Sequence, residues 1–288
     1  MLLQKLVALA RRTAVPEPIG LELRADRFTL IHLDRTSSSS PLILGHSHHT
    51  LFPGDHEAAA EALSDAWHRL ALPGKQVVLS VPSPPARFAL LPIVPGNGTR
   101  PKPAWHSDDL IYAEVTLPAR SDHPPQVLVG AVPGALLETS LALLDLAGLE
   151  AVQVQIDILA LLTAFSHTPA WTGQGPIART LVHASDAGFS WYALSPADDL
   201  PQEIGLAQDG TELSERLTAQ PPDLLMLAGP VGTVQPLMTD LQSRLPSTRF
   251  CTNPFAGCRL AHEEDRRPIT ARAPELSVAL GLALGACP

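Results

Sequence analysis

The segment Leu224-Leu225-Met226-Leu227-Ala228-Gly229-Pro230-Val231-Gly232 narrows the choice of folds more than any other in this chain. A short apolar run closed by glycine and proline reads as a buried strand that empties into a glycine turn and then into a helix with a polar start. An Asn253-Pro254-Phe255-Ala256-Gly257 turn follows, and after it a run of Leu, Ala, Val and Gly over 274–285 predicts a closely packed terminal helix. A buried strand feeding a helix is a unit of α/β architecture.

The same alternation runs through the rest of the sequence. Residues 19–33 read as two strands with a turn near Ala25-Asp26, and Ala58, Ala59, Ala62, Leu63, Ala66, Trp67 and Leu70 give 55–70 an amphipathic helical period. Strands are expected over 76–81, 88–93, 127–133 and 152–156, and helices over 135–148 and 157–165. The Trp171 to Pro176 stretch, with two glycines and a proline, marks a boundary. Beyond it, 178–183 and 188–194 predict a hairpin, and 200–220 holds room for one strand and one short helix. The expected division is an N-terminal amphipathic segment 1–18, a first lobe 19–175 with an inserted subdomain at about 88–133, and a second lobe 176–288.

Composition excludes several function classes. A formal net charge of −9 over 288 residues leaves too few clustered cations to neutralise a phosphate backbone, so no direct nucleic-acid partner is expected. No stretch reaches the roughly 20 apolar residues of a membrane span, because Glu138, Asp145, Glu150 and Asp157 interrupt 136–165. Leu2, Leu3, Leu6, Val7 and Ala10 with Lys5, Arg11 and Arg12 suit either a short helix touching a membrane surface or partner, or a frayed terminus. Arg11-Arg12 stand where a signal peptide would carry its cleavage site, which predicts a cytoplasmic protein. Cys251, Cys258 and Cys287 match no close-spaced metal pattern and read as small core residues.

Catalytic signatures are missing from the sequence. It contains no Gly-x-x-x-x-Gly-Lys-Ser/Thr loop, no Gly-x-Ser-x-Gly elbow and no His-Glu-x-x-His pair. His46, His48, His49 and His56 cluster without a known ligand spacing and read as surface loop histidines, and His262-Glu263-Glu264-Asp265 reads as a solvated loop. No metal site is expected.

In order and spacing, the blocks 127–165, 224–232, 253–257 and 274–285 resemble PilM-like proteins, the actin-like cytoplasmic members of type IV pilus assembly systems; Ala147-Gly148-Leu149-Glu150 is part of the match. The compact length also resembles HofM, a smaller relative linked to pilus-like machinery and DNA utilisation. The resemblance implies a two-lobed actin-like fold in which a ribonuclease-H-like α/β unit is repeated, with a small insertion subdomain and a shortened second-lobe insertion. Asp109 to Leu117 resembles a shortened form of the family's helix in this region.

The family's nucleotide loops map onto Glu22, Arg24 and Asp26 in the first hairpin, Ser185, Asp186 and Gly188 in the second, and Gly229 and Gly232 in the adenosine loop. Glu22 replaces the usual aspartate, Arg24 the glycine, and His183-Ala184-Ser185 the Asp-Ile-Gly run, so the loops lack the small residues that let backbone N–H groups approach an anion. The resemblance thus implies a pseudo-ATPase scaffold with no cofactor, peripheral at the inner membrane. It binds the cytoplasmic tail of a PilN-like bitopic membrane protein and works alongside pilus ATPases. The tail groove maps by place onto Phe88, Leu90 and Ile93 on one side and Ile111, Tyr112, Val115 and Leu117 on the other. Two alternatives remain: an ATPase switch using ATP with Mg²⁺ held by Asp26 or Asp186, and a GspL-like type II secretion component.

Overall fold

The computed structural model describes residues 17–34, 40–82, 86–93, 102–116, 125–172, 175–185, 187–196 and 201–286. The expected amphipathic segment at the N-terminus, Leu117, Asp186 and Cys287 lie outside the described residues.

The first sheet grows from the hairpin of β1 (Ile19–Leu23) and β2 (Arg27–Asp34), closed where the Arg24 N–H donates to the Arg27 carbonyl at 2.8 Å. β3 (Leu42–Thr50) extends it antiparallel, and β4 (Gln76–Val81) and β8 (Glu150–Ile156) add in parallel on the other side. Between β3 and β4 runs α1 (His56–Arg69), whose first turn is capped by the Asp55 carboxylate accepting the Ala58 N–H at 2.9 Å. The inserted segment forms its own sheet from β5 (Arg87–Pro92), β6 (Leu110–Thr116) and β7 (Gln126–Pro133), ordered β5-β7-β6, before α2 (Gly134–Leu146). α3 (Asp157–Ser166) and the single turn α4 (Pro169–Thr172) lead to the second half.

There the pattern repeats. β9 (Arg179–Ser185), β10 (Gly188–Leu194) and β11 (Pro201–Ala207) form an antiparallel meander, followed by α5 (Gly210–Ala219). β12 (Leu224–Ala228), α6 (Val231–Arg244) and β13 (Arg249–Cys251) add the parallel side. The order β11-β10-β9-β12-β13 reproduces β3-β2-β1-β4-β8 strand for strand, with the same directions. This is an internal duplication of one α/β unit. One apolar cluster joins the two copies, with Val78, Ile158 and Leu161 against Leu181, Tyr192 and Met226.

The end of the chain returns to the first sheet. β14 (Arg259–Leu260) pairs with the β3 edge, and after α7 (Arg266–Ala271) the terminal helix α8 (Ala273–Gly285) packs on β1, β2 and α3. The packing is close because glycine sits at both contacts. A Cβ on Gly20 would overlap the Ala279 carbonyl oxygen, and one on Gly281 would overlap that of Ala160.

Two expectations are corrected. The stretch 109–117 does not give a helix: 110–116 is β6, fully paired with β7 from Leu110↔Pro133 to Thr116↔Val127. Ile111, Val115 and Thr116 are β-branched and favour the pleated surface. His46, His48 and His49 are not in a loop but on β3, and His56 begins α1.

The helix contact yields a test. Gly281→Ala is expected to destabilise the protein by about 2 kcal/mol or more, since neither backbone can move away without breaking its own hydrogen bonds. Urea unfolding followed by circular dichroism reads this as a lower midpoint.

Candidate functional site

The duplication places two equivalent hairpin ends, the 24–26 turn of the first copy and Ser185 and Ala187 of the second, at one cleft between the copies, because β1 and β9 are the corresponding strands. A cavity of about 530 Å³ opens here, lined by the first turn, the 51–56 loop, Pro82, α2, Ser185 and Ala187.

Arg24 turns inward from the first turn. Its Nε donates to Glu22 Oε1 at 2.7 Å and its Nη2 to Asp157 Oδ2 at 2.8 Å, with the guanidinium side chain only 9% exposed and Asp157 fully buried. Asp157 stands at the start of α3, where an acid also complements the helix dipole. From the other copy, β9 brings His183, whose Nε2 lies 3.5 Å from Arg24 Nη2. The His183 Nδ1 is 3.2 Å from Asp157 Oδ2 but off the hydrogen-bond direction, so it is an electrostatic neighbour rather than a bonded partner. Burial opposes the charge on Arg24, and Glu22 and Asp157 more than offset it, so its pKa is raised. Burial and the nearby Asp157 likewise push the Tyr192 phenol well above its ordinary value. The arginine is a fixed cation.

The other expected loop residues are also committed to the protein. Asp26 is half-exposed and pairs with Arg27 at 2.9 Å. Ser185 Oγ donates to the Gly188 carbonyl at 3.0 Å, and Gly188 has φ +117, with the Ala207 carbonyl where a Cβ would point. Gly229, at φ +123, lies so close to Ala184 that only glycine fits, and its N–H donates to the Pro274 carbonyl at 2.9 Å. A Cβ on Gly232 would meet open space. At the start of α6 the Val231 N–H donates to Glu275 Oε1 at 3.0 Å, so a carboxylate from α8 holds the helix N-terminus where an anion would bind.

These residues do not fit a magnesium triphosphate. Glu22 and Asp157 are bound to a guanidinium rather than free for a metal, and Glu275 fills the α6 terminus. Sequence reading passed over Asp157 and Glu275. Asp157 had one signal: it is an acid heading the otherwise apolar Ile158-Leu159-Ala160-Leu161-Leu162 run.

The expected tail groove is rearranged. β5, with Phe88 and Leu90, and β6, with Ile111, Tyr112 and Val115, lie on opposite sides of β7, so they are the two margins of one sheet rather than facing walls. Ile93 follows β5, its N–H donating to the Pro125 carbonyl at 2.7 Å. Tyr112 stacks on Trp105 at 6.1 Å between ring centroids, and its hydroxyl donates to the Ser107 carbonyl at 3.0 Å. The outer edge of β6 carries no further strand among the described residues.

The β3 histidines are dispersed by strand alternation. His46 faces Asp265 at 3.5 Å, His48 Nδ1 lies 3.4 Å from Thr29 Oγ1, and His49 stacks on Phe28 from the other face. Among the described residues no group of three metal-ligating side chains converges. Burial raises the Cys251 thiol and pushes Cys258 up to about 11, which makes both poor nucleophiles.

No family model and no curated protein matches the chain. Among solved structures it is similar to the "PilM-PilN type IV pilus biogenesis complex", with a TM-score of 0.72 and 18% identity over 96% of this chain and 100% of that one. It is also similar to the ethanolamine utilization protein EutJ from Carboxydothermus hydrogenoformans, at 11% identity and TM-score 0.49 over 98% of each chain. A third similarity is to the cytoplasmic domain of EpsL from the type II secretion system of Vibrio cholerae, at 15% identity and TM-score 0.47, covering 84% of this chain and 98% of that one. The fold is therefore the PilM-like, actin-like one that the sequence resemblance implied.

Two outcomes are expected. Asp157→Ala leaves Arg24 buried with only Glu22 as its anion and should cost about 3 kcal/mol in urea unfolding at neutral pH. His32 and His48 both have lowered pKa values, burial being the main cause. Unfolded histidine takes up its proton near pH ~6.5 and these only below that. Stability is therefore complete above that pH and is lost as pH falls through it. His48→Gln should flatten the decline of melting temperature between about pH 7 and pH 5.

Proposed function

We propose that this chain is a cytoplasmic scaffold of a type IV pilus, or a related pilus-like DNA-uptake, assembly platform at the inner membrane. It binds the cytoplasmic tail of a PilN-like bitopic membrane protein and does not turn over ATP. The observation that carries this reading is Arg24, buried in the cleft between Glu22 and Asp157. An arginine tied to two carboxylates takes the space a glycine would leave for phosphate, and leaves no anion-binding capacity behind. Glu275 fills the adenosine loop by occupying the start of α6.

The fold shared with the PilM–PilN complex supports the partner class. Among the described residues no helix is long and apolar enough to cross a membrane, which suits a component recruited by a membrane protein. The outer edge of β6 offers an extended tail main-chain hydrogen bonds by strand addition, with Ile111 on that strand. Specificity would come from alternate side chains of the added strand.

The test is thermal unfolding of the purified chain with millimolar Mg²⁺-ATP and, separately, with the N-terminal cytoplasmic peptide of a PilN-like protein from the same organism. A ligand at about 100 times its Kd adds roughly 2.7 kcal/mol of stability. The peptide should raise the midpoint and Mg²⁺-ATP should leave it unchanged. A Mg²⁺-dependent rise with ATP would overturn the scaffold reading in favour of a nucleotide switch.

A further inference from the structure

The cavity at the cleft and the loop beside it put an apolar hollow and an apolar projection side by side. The walls of the hollow are largely apolar, with Leu23, Leu51, Pro82, Leu136 and Leu143 around a volume of about 530 Å³. Its hydroxyls are turned into the protein: Thr139 Oγ1 donates to the Ala135 carbonyl at 2.9 Å, Ser140 Oγ to the Leu136 carbonyl at 3.1 Å, and Ser185 Oγ to the Gly188 carbonyl at 3.0 Å. Its full charges cancel. Arg24 and Arg27 stand against Asp26 and Asp55, with Asp26 paired to Arg27 at 2.9 Å and Asp55 committed to capping α1. At the rim Phe52 is 83% exposed, the barest large apolar side chain among the described residues. A lone exposed apolar residue is ordinary on a protein surface, but this one adjoins an open apolar hollow.

We propose that this face pairs with the same face of a second copy of the chain, Phe52 of each copy entering the cavity of the other. Two observations single out a second copy as the occupant. The first is shape: a projection and a hollow that adjoin are self-complementary, because a two-fold axis between them sets each Phe52 opposite the other copy's cavity. The second is charge. With a formal net charge of −9 two copies repel, and they can approach closely only where the facing surfaces are locally neutral. The cavity face meets that condition, since each of its guanidiniums and carboxylates already has a partner within its own chain. Burial of an aromatic ring in each hollow drives the contact, while salt screens the repulsion between copies. Association therefore tightens as ionic strength rises, the reverse of a contact held by ion pairs. It makes no use of the β6 edge, so it stands or falls separately from the scaffold reading.

The experiment is sedimentation velocity of the full chain over a range of concentrations at low and high salt, with two variants at exposed positions, Phe52→Ser and Thr139→Trp. The first removes the projection, and the second, on the α2 wall, fills the hollow. Both are surface changes and should leave the melting curve unaltered. The unaltered chain is expected to pass reversibly from monomer to dimer as concentration rises, and to do so at lower concentration in high salt. Each variant alone should weaken the dimer by about tenfold or more. An equimolar mixture of the two restores one contact, Phe52 of the Thr139→Trp copy meeting the open hollow of the Phe52→Ser copy, and should associate more tightly than either variant alone. A chain that stays monomeric at every concentration, a dimer that either variant leaves intact, or a mixture no tighter than its components overturns the assignment.

Discussion

The close approach of α8 to β1 and α3 is the constraint on which the rest of the molecule depends. Two glycines, Gly20 and Gly281, let backbone meet backbone, so the terminal helix lies in the seam between the duplicated units instead of riding over side chains. Interiors packed this tightly transmit position with little give. As a result α8 delivers Pro274 and Glu275 to the Gly229 turn and to the start of α6. The helix that joins the two halves thus also supplies the carboxylate that meets the start of α6.

The contacts of the first hairpin turn have a different origin. A hairpin turn that carries glycine leaves its N–H groups bare. Here the turn carries Arg24, and a buried guanidinium is tolerable only if carboxylates meet it with good hydrogen bonds. Glu22, two residues earlier on β1, and Asp157, 133 residues later on α3, provide them. Three charges are thus buried together, and removing any one exposes the others to the full desolvation penalty.

Much of the architecture was legible in the sequence. Strongly periodic or uniformly apolar stretches, such as 55–70, 127–133 and 224–228, follow their local pattern because burial and pattern agree there. The reading failed at 109–117, where the family likeness suggested a helix although Ile111, Val115 and Thr116 favour a strand; pairing with β7 settled it. It failed again for the β3 histidines, because a strand on a partly covered edge tolerates polar residues that look like a loop. The two sides of the expected tail groove, around Leu90 and Ile111, belong to one sheet because β7, which follows both strands in the sequence, lies between them.

By itself, then, the sequence determined the α/β class, the order of elements and the absence of glycine from the first hairpin turn, since these depend on local periodicity and on single residue types. Only the tertiary structure decided what meets Arg24 and the start of α6. Arg24 with Asp157, and Val231 with Glu275, are pairs far apart in the chain that meet because two copies of one unit face each other and a small-residue helix fits between them. Partnership across such separations is set by how sheets and helices stack, and no local pattern in the sequence records it.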